Sequence, residues 1–189
     1  MLLIKIIYAS KTRLIYHKKR LFPTRAGLTY DLRVCSDRLI IMLYGTKRET
    51  YRQVFLDSWR SYQEGRPLEG VQTRIVSVIL RHPEYHALLA DAERGLEQDF
   101  PPEQGRSNPY MHMSLHVGLE EMLALGQPAG IVDLFDSARR KLGETGAEHL
   151  FVDCLGEMMW QAQRAGRAPE LTALLSCVRR SLGLPEMAG

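Results

Sequence analysis

Five of the six histidines in this 189-residue chain fall between residues 82 and 149. Four of them make two pairs at a four-residue step: His82 and His86 in H-P-E-Y-H, and His112 and His116 in N-P-Y-M-H-M-S-L-H. Residues i and i+4 share one face of a helix, so each pair can aim two imidazoles at one point. A third row, His149, Asp153 and Glu157, repeats the step with carboxylates. Imidazole nitrogen and carboxylate oxygen together suit zinc, iron or manganese. The spacing makes His86, His112, His116 and His149 the first-choice ligands. Asp153 and Glu157 are either ligands or orienters of the ligand rings, and His82 is the next candidate.

The same residues have two plainer readings. Histidines can cap helices and bond one another across a core, with His82 capping the helix that starts at Pro83; acid–base catalysis without a metal is the other possibility. The pattern is neither H-E-x-x-H nor the Glu-x-x-His pair of di-iron bundles, so it names no reaction and leaves catalytic residues unassigned. Ser114 lies two residues from His112 and from His116, and i+2 neighbours on a helix face different ways. There is no P-loop or dinucleotide fingerprint, so no nucleotide cofactor is expected.

These side chains need helices to position them, and the pattern from residue 46 onward is helical. Tyr51, Val54, Phe55, Trp59 and Tyr62 step by three and four until Gly65 and Pro67. Val71, Ile75, Val78 and Ile79 mark a second helix to about Arg81, where Pro83 prevents smooth continuation and opens a new helix. Residues 99–108 read as a loop. Asn108-Pro109 then joins an N-cap residue to a proline suited to the first helical position. That helix stops at Gly126; others span 128–142, about 147–165 and about 169–182. Trp59 and Trp160 read as core anchors, Glu120-Glu121 as a solvated face, and the Arg pairs at 139–140 and 179–180 as exposed charge. The expected fold is all-α: a single helical bundle of about six to seven helices over residues 46–182, with an N-terminal extension at 1–45 and a short tail at 183–189.

Charge is divided unevenly. Residues 1–41 hold nine Lys or Arg against two acids, a net +7, whereas the remainder holds 16 basic and 20 acidic residues, a net −4. A nucleic-acid role for the helical part therefore lacks electrostatic support, and residues 1–41 are the only segment suited to one. The opening M-L-L-I-K-I-I-Y is too short to span a membrane and is followed, not preceded, by its charge, unlike a secretory signal. It reads as a basic arm, an added strand, or an extension outside the functional domain, with Met42 as an alternative start. The cysteines are odd in number, Cys35, Cys154 and Cys177, without C-x-x-C. Cys154 and Cys177 lie in apolar helical patterns and read as buried free thiols of a reducing cytoplasm.

H-P-E-Y-H, N-P-Y-M-H-M-S-L-H and D-C-L-G-E-M-M-W-Q-A-Q-R, in that order, resemble the bacterial family known as domain of unknown function 1841. The resemblance covers about residues 46–182, including Y-R-Q-V-F-L-D-S-W and G-R-P-L. The family pattern has phenylalanine where this chain has Tyr110, and it begins near Met42. It implies a small cytoplasmic bacterial protein and supplies no activity, cofactor or site residue. The sequence thus favours a divalent-metal-binding helical bundle. The alternative is a non-catalytic adaptor whose histidines are structural and whose exposed aromatics, such as Tyr51, Tyr62 or Tyr110, meet a protein partner or a second copy.

Overall fold

The structure, a computed structural model, describes residues 48–101, 108–166 and 169–185. The basic extension lies outside them. The described residues contain seven α-helices and no strand: α1 (Arg48–Gln63), α2 (Val71–Arg81), α3 (His86–Ala90), α4 (Ala92–Glu97), α5 (Pro109–Leu125), α6 (Ile131–Arg164) and α7 (Leu171–Ser181). The fold is all-α, as the periodicity predicts. None of these helices is long and apolar enough to cross a membrane.

Two apolar clusters make the core. Phe55, Leu56, Trp59, Val71, Ile75, Val78 and Ile79 join Tyr110, Met113 and Val117 in the first. Leu115, Leu119 and Met122 join Ile131, Leu134, Phe151, Leu155, Leu174 and Val178 in the second. Helix α5 serves both. At about 100° per residue, Met113, Val117 and Tyr110 occupy one side of α5, and Leu115, Leu119 and Met122 the other. A helix that is apolar on two sides is a buried one. His112 and His116 fall in the angular gap between those sides, which is the seam where the clusters meet.

The ends of α5 follow local rules. Asn108 Oδ1 accepts from the amides of Tyr110 and Met111, and Pro109 takes the first turn, where its missing amide costs nothing. Gly126 closes the helix in the left-handed region, its amide reaching the carbonyls of Leu123 and Met122. Gly143, at φ 76° and ψ 174°, breaks α6 into two helical arms. Only glycine adopts that backbone readily. The second arm begins immediately after it rather than at 147, and it carries His149 among buried Ala147, Phe151 and Val152.

The structure corrects several expectations. The helix expected after Pro83 is a 3₁₀ turn (Pro83–Tyr85), the short α3, and a separate α4 capped by Asp91, whose side chain accepts from the Arg94 amide. His82 makes no side-chain capping bond there. Trp59 is buried, but Trp160 is half exposed, with Arg164 stacked over its ring at 4.7 Å. Glu120 pairs with Arg81, whereas Glu121 is buried. Tyr110 is fully buried and leaves Tyr62 as the exposed aromatic of the three considered for an interface.

The largest correction concerns the thiols. Cys154 and Cys177 form a disulfide that ties the second arm of α6 to α7, so neither is free. Twenty-three residues apart and on different helices, they gave no spacing signal. The bond also removes the thiol argument for a reducing compartment. A cross-link closing a loop of this length restricts the unfolded chain by about 3 kcal/mol. Replacing both cysteines by serine should therefore lower unfolding free energy by about that amount in urea titrations; an unchanged midpoint would contradict the cross-link.

Candidate metal centre

Four imidazoles meet in the seam. His82 arrives from the C-terminal end of α2, His112 and His116 from α5, and His149 from the second arm of α6. One ligand nitrogen from each lies within 4.8 Å of every other. All six ring pairs have centroids between 4.6 and 5.8 Å apart. His112 Nε2 and His116 Nε2 are 3.2 Å apart. A tetrahedral ion with nitrogens at about 2.0–2.1 Å has edges of about 3.3 Å. That pair already has the required separation, and modest ring rotations would bring in the other two.

The opposite ring nitrogens are engaged elsewhere. His82 Nδ1 lies 3.1 Å from Glu84 Oε1, and His149 Nδ1 lies 2.9 Å from the Thr145 carbonyl. His116 Nδ1 faces Glu148 Oε2 at 3.6 Å. An imidazole whose Nδ1–H is donated outward presents a bare Nε2 lone pair inward. His82 Nε2 is buried without a hydrogen-bond partner. Buried polar atoms rarely go unpaired, because desolvation is then uncompensated. Several acceptors facing one point, with at most the His112–His116 contact to share a proton, are electrostatically incomplete.

Protonation is opposed here. Burial, then the neighbouring imidazoles and Arg81, pulls His116 from 6.5 down to about 3. Burial and the charges of His82 and His149 also lower His112. Both rings are neutral at pH 7, the form in which imidazole binds metal.

The chain turn decides which member of H-P-E-Y-H joins. Pro83 ends α2, so His82 and His86 do not share a helix and the four-residue step does not align them. His82 turns into the seam and is 4% exposed. His86 turns the other way: its Nε2 lies 2.9 Å from the Ile79 carbonyl and its ring packs 4.6 Å from Trp59. Ile79 also accepts the His82 amide, so this pair closes the end of α2. First-choice His86 thus lies outside the group of four, and His82 stands in its place.

Asp153 and Glu157 are separated from the cluster by helix geometry. Each four-residue step rotates about 40° and advances about 6 Å. From His149, at the edge of the buried face, that takes Asp153 and then Glu157 outward; both are exposed. Asp153 still reaches His112 electrostatically, and Glu157 bonds Gln161. Glu84 and Glu148, which sequence reasoning did not select, are the carboxylates that face ring nitrogens. The i+2 position of Glu84, beyond a proline turn, was the only available signal.

Arg81 joins the supporting groups: it reaches Glu120 of α5 and Glu148 of α6, the latter at 3.5 Å. These three residues and His116 border a cavity of about 240 Å³ floored by Leu119, Leu123 and Phe135. The cavity meets the Glu148 side of His116, away from the converging nitrogens.

With this geometry in view, the family described as Domain of unknown function (DUF1841) matches residues 47–180. The chain belongs to the DUF1841 family. All four converging histidines lie within the matched region. No curated protein and no solved structure matches the chain. The DUF1841 description names no activity, so the chemistry rests on the side chains.

Neutral buried imidazoles fix the sign of the acid response. Between about 3 and 6.5 the unfolded chain takes up a proton that folded His116 refuses, so stability is present above that window and lost as pH falls through it. Thermal midpoints of metal-free protein should decline from pH 7 to pH 4; a flat profile would contradict this assignment.

Proposed function

We propose that this DUF1841 protein binds one divalent metal ion through His82, His112, His116 and His149, with zinc the preferred ion. The observation carrying this reading is the buried, unpartnered His82 Nε2, which lies among three further imidazole donors. A cation satisfies every inward lone pair at once and does not require the protonation that burial opposes. Outward bonds from the far ring nitrogen are the usual support for metal-bound histidine. An all-imidazole set suits zinc and iron; manganese prefers oxygen donors, which the group of four does not supply.

The ion would also tie α2 directly to α6, which otherwise meet mainly through α5. His82 brings in the first apolar cluster through α2, and His149 brings in the second through α6. Binding to the folded state alone raises stability by mass action, about 2.7 kcal/mol when free metal is a hundredfold above its dissociation constant.

Metal content by mass spectrometry on the full chain tests this reading, beside His82→Ala and His116→Ala variants checked for helicity by circular dichroism. The expected result is near one zinc per wild-type chain, a raised thermal midpoint with added zinc, and loss of metal from both folded variants. Wild-type protein that stays metal-free after reconstitution with zinc and iron would make the cluster a structural histidine network, the arrangement expected of the adaptor alternative.

A further inference from the structure

The four rings are not held equally. Glu84, Glu148 and the Thr145 carbonyl face the Nδ1 atoms of His82, His116 and His149. The His112 ring makes one hydrogen bond among the described residues, between its Nε2 and that of His116. His82 and His116 are buried, whereas His112, in the first turn of α5, and His149 are partly exposed, and of these two only His149 has an outward partner for its Nδ1. Tyr85 stands edge-on to the His112 ring at 6.0 Å. Exposed Glu84 and Asp153 lie within electrostatic reach of His112.

We infer that His82, His116 and His149 form a lasting three-nitrogen core and that His112 is an exchangeable fourth ligand, opening one metal position to water or another small neutral donor. This rests on the metal-binding reading above. Rotating an anchored ring out of the centre breaks its outward contact as well as its metal bond, and in the buried rings it disrupts packing too. Rotating His112 gives up the metal bond alone, and its freed nitrogen can meet solvent. The two carboxylates on that side favour a neutral donor over an anion. Three histidines with one open position is the coordination pattern of catalytic zinc, whereas four fixed ligands make a closed structural site. An ion held this way polarises the water it carries, the starting condition for hydrolytic chemistry.

Cobalt(II) is the probe, because its visible absorption reports the donor set. Full-length wild type and the His82→Ala, His112→Ala and His116→Ala variants are loaded and passed through gel filtration. His112→Ala should keep cobalt at the wild-type ratio with a shifted spectrum. Millimolar imidazole should restore the wild-type spectrum, and equal azide should bind less. His82→Ala and His116→Ala should lose the metal. If His112→Ala loses cobalt as fully as His116→Ala while wild type remains loaded, the exchangeable ligand is overturned and metal binding stands. Wild type that takes up no cobalt, zinc or iron overturns both.

A second measurement needs no variant. In metal-loaded wild type, diethyl pyrocarbonate should modify His112 before the other three, with the ion retained. Equal protection of all four rings would overturn the inference.

Discussion

The arrangement depends on the seam along α5. Two apolar clusters pack against opposite sides of one helix, and the strip between them is too narrow for a third apolar face and too buried for charge. Neutral imidazole fits such a strip. It is flat, offers one donor and one acceptor, and keeps its charge only when desolvation allows. His116 at 1% exposure occupies the inner part of the strip and His112 the outer part. Once α5 is placed, α2 can reach the seam only at its C-terminal end and α6 only by the edge of its buried face, which is where His82 and His149 stand.

Because the seam is shared, the groups around it couple α2 to α6, which otherwise meet mainly through α5. Arg81 connects α2 to Glu120 on α5 and Glu148 on α6, and Glu148 turns to His116. An exposed ion pair contributes little by itself. Here it borders a buried ring and helps hold Glu148 at the nitrogen facing away from the cluster. The break at Gly143 serves the same geometry, since the second arm of α6 can take its own direction across α5. The disulfide then fastens that arm to α7.

Much of this was legible in the sequence because helix periodicity is. His112, His116 and His149 were found by spacing, and the fold class, the cap at Asn108 and the stop at Gly126 followed from residue types. What failed has a common cause. The i+4 rule holds only within one unbroken helix, and Pro83 divides His82 from His86, so the rule pointed to the wrong member of that pair for this cluster. Along α6 the rule holds, but each four-residue step turns about 40° and advances about 6 Å, so Asp153 and Glu157 leave the cluster that His149 joins. Cys154 and Cys177 meet through the packing of α6 on α7, which no local spacing encodes. Trp160 has the residue type of a core anchor, whereas its place near the end of α6 leaves one side of the ring to Arg164.

Distribution of the outward contacts bears on what the centre can do. In a closed metal site every ligand gains from a fixed orientation, and support would be expected around the whole ring of donors. Here it is concentrated on three. The unsupported ring is partly exposed and lies near two exposed carboxylates, so access and loose anchoring coincide at one position. A fold that used the ion only to join its two clusters would gain nothing from that coincidence. A centre that must admit a ligand while retaining its ion requires it: three anchored rings would hold the ion, and the one unanchored ring beside solvent would give way.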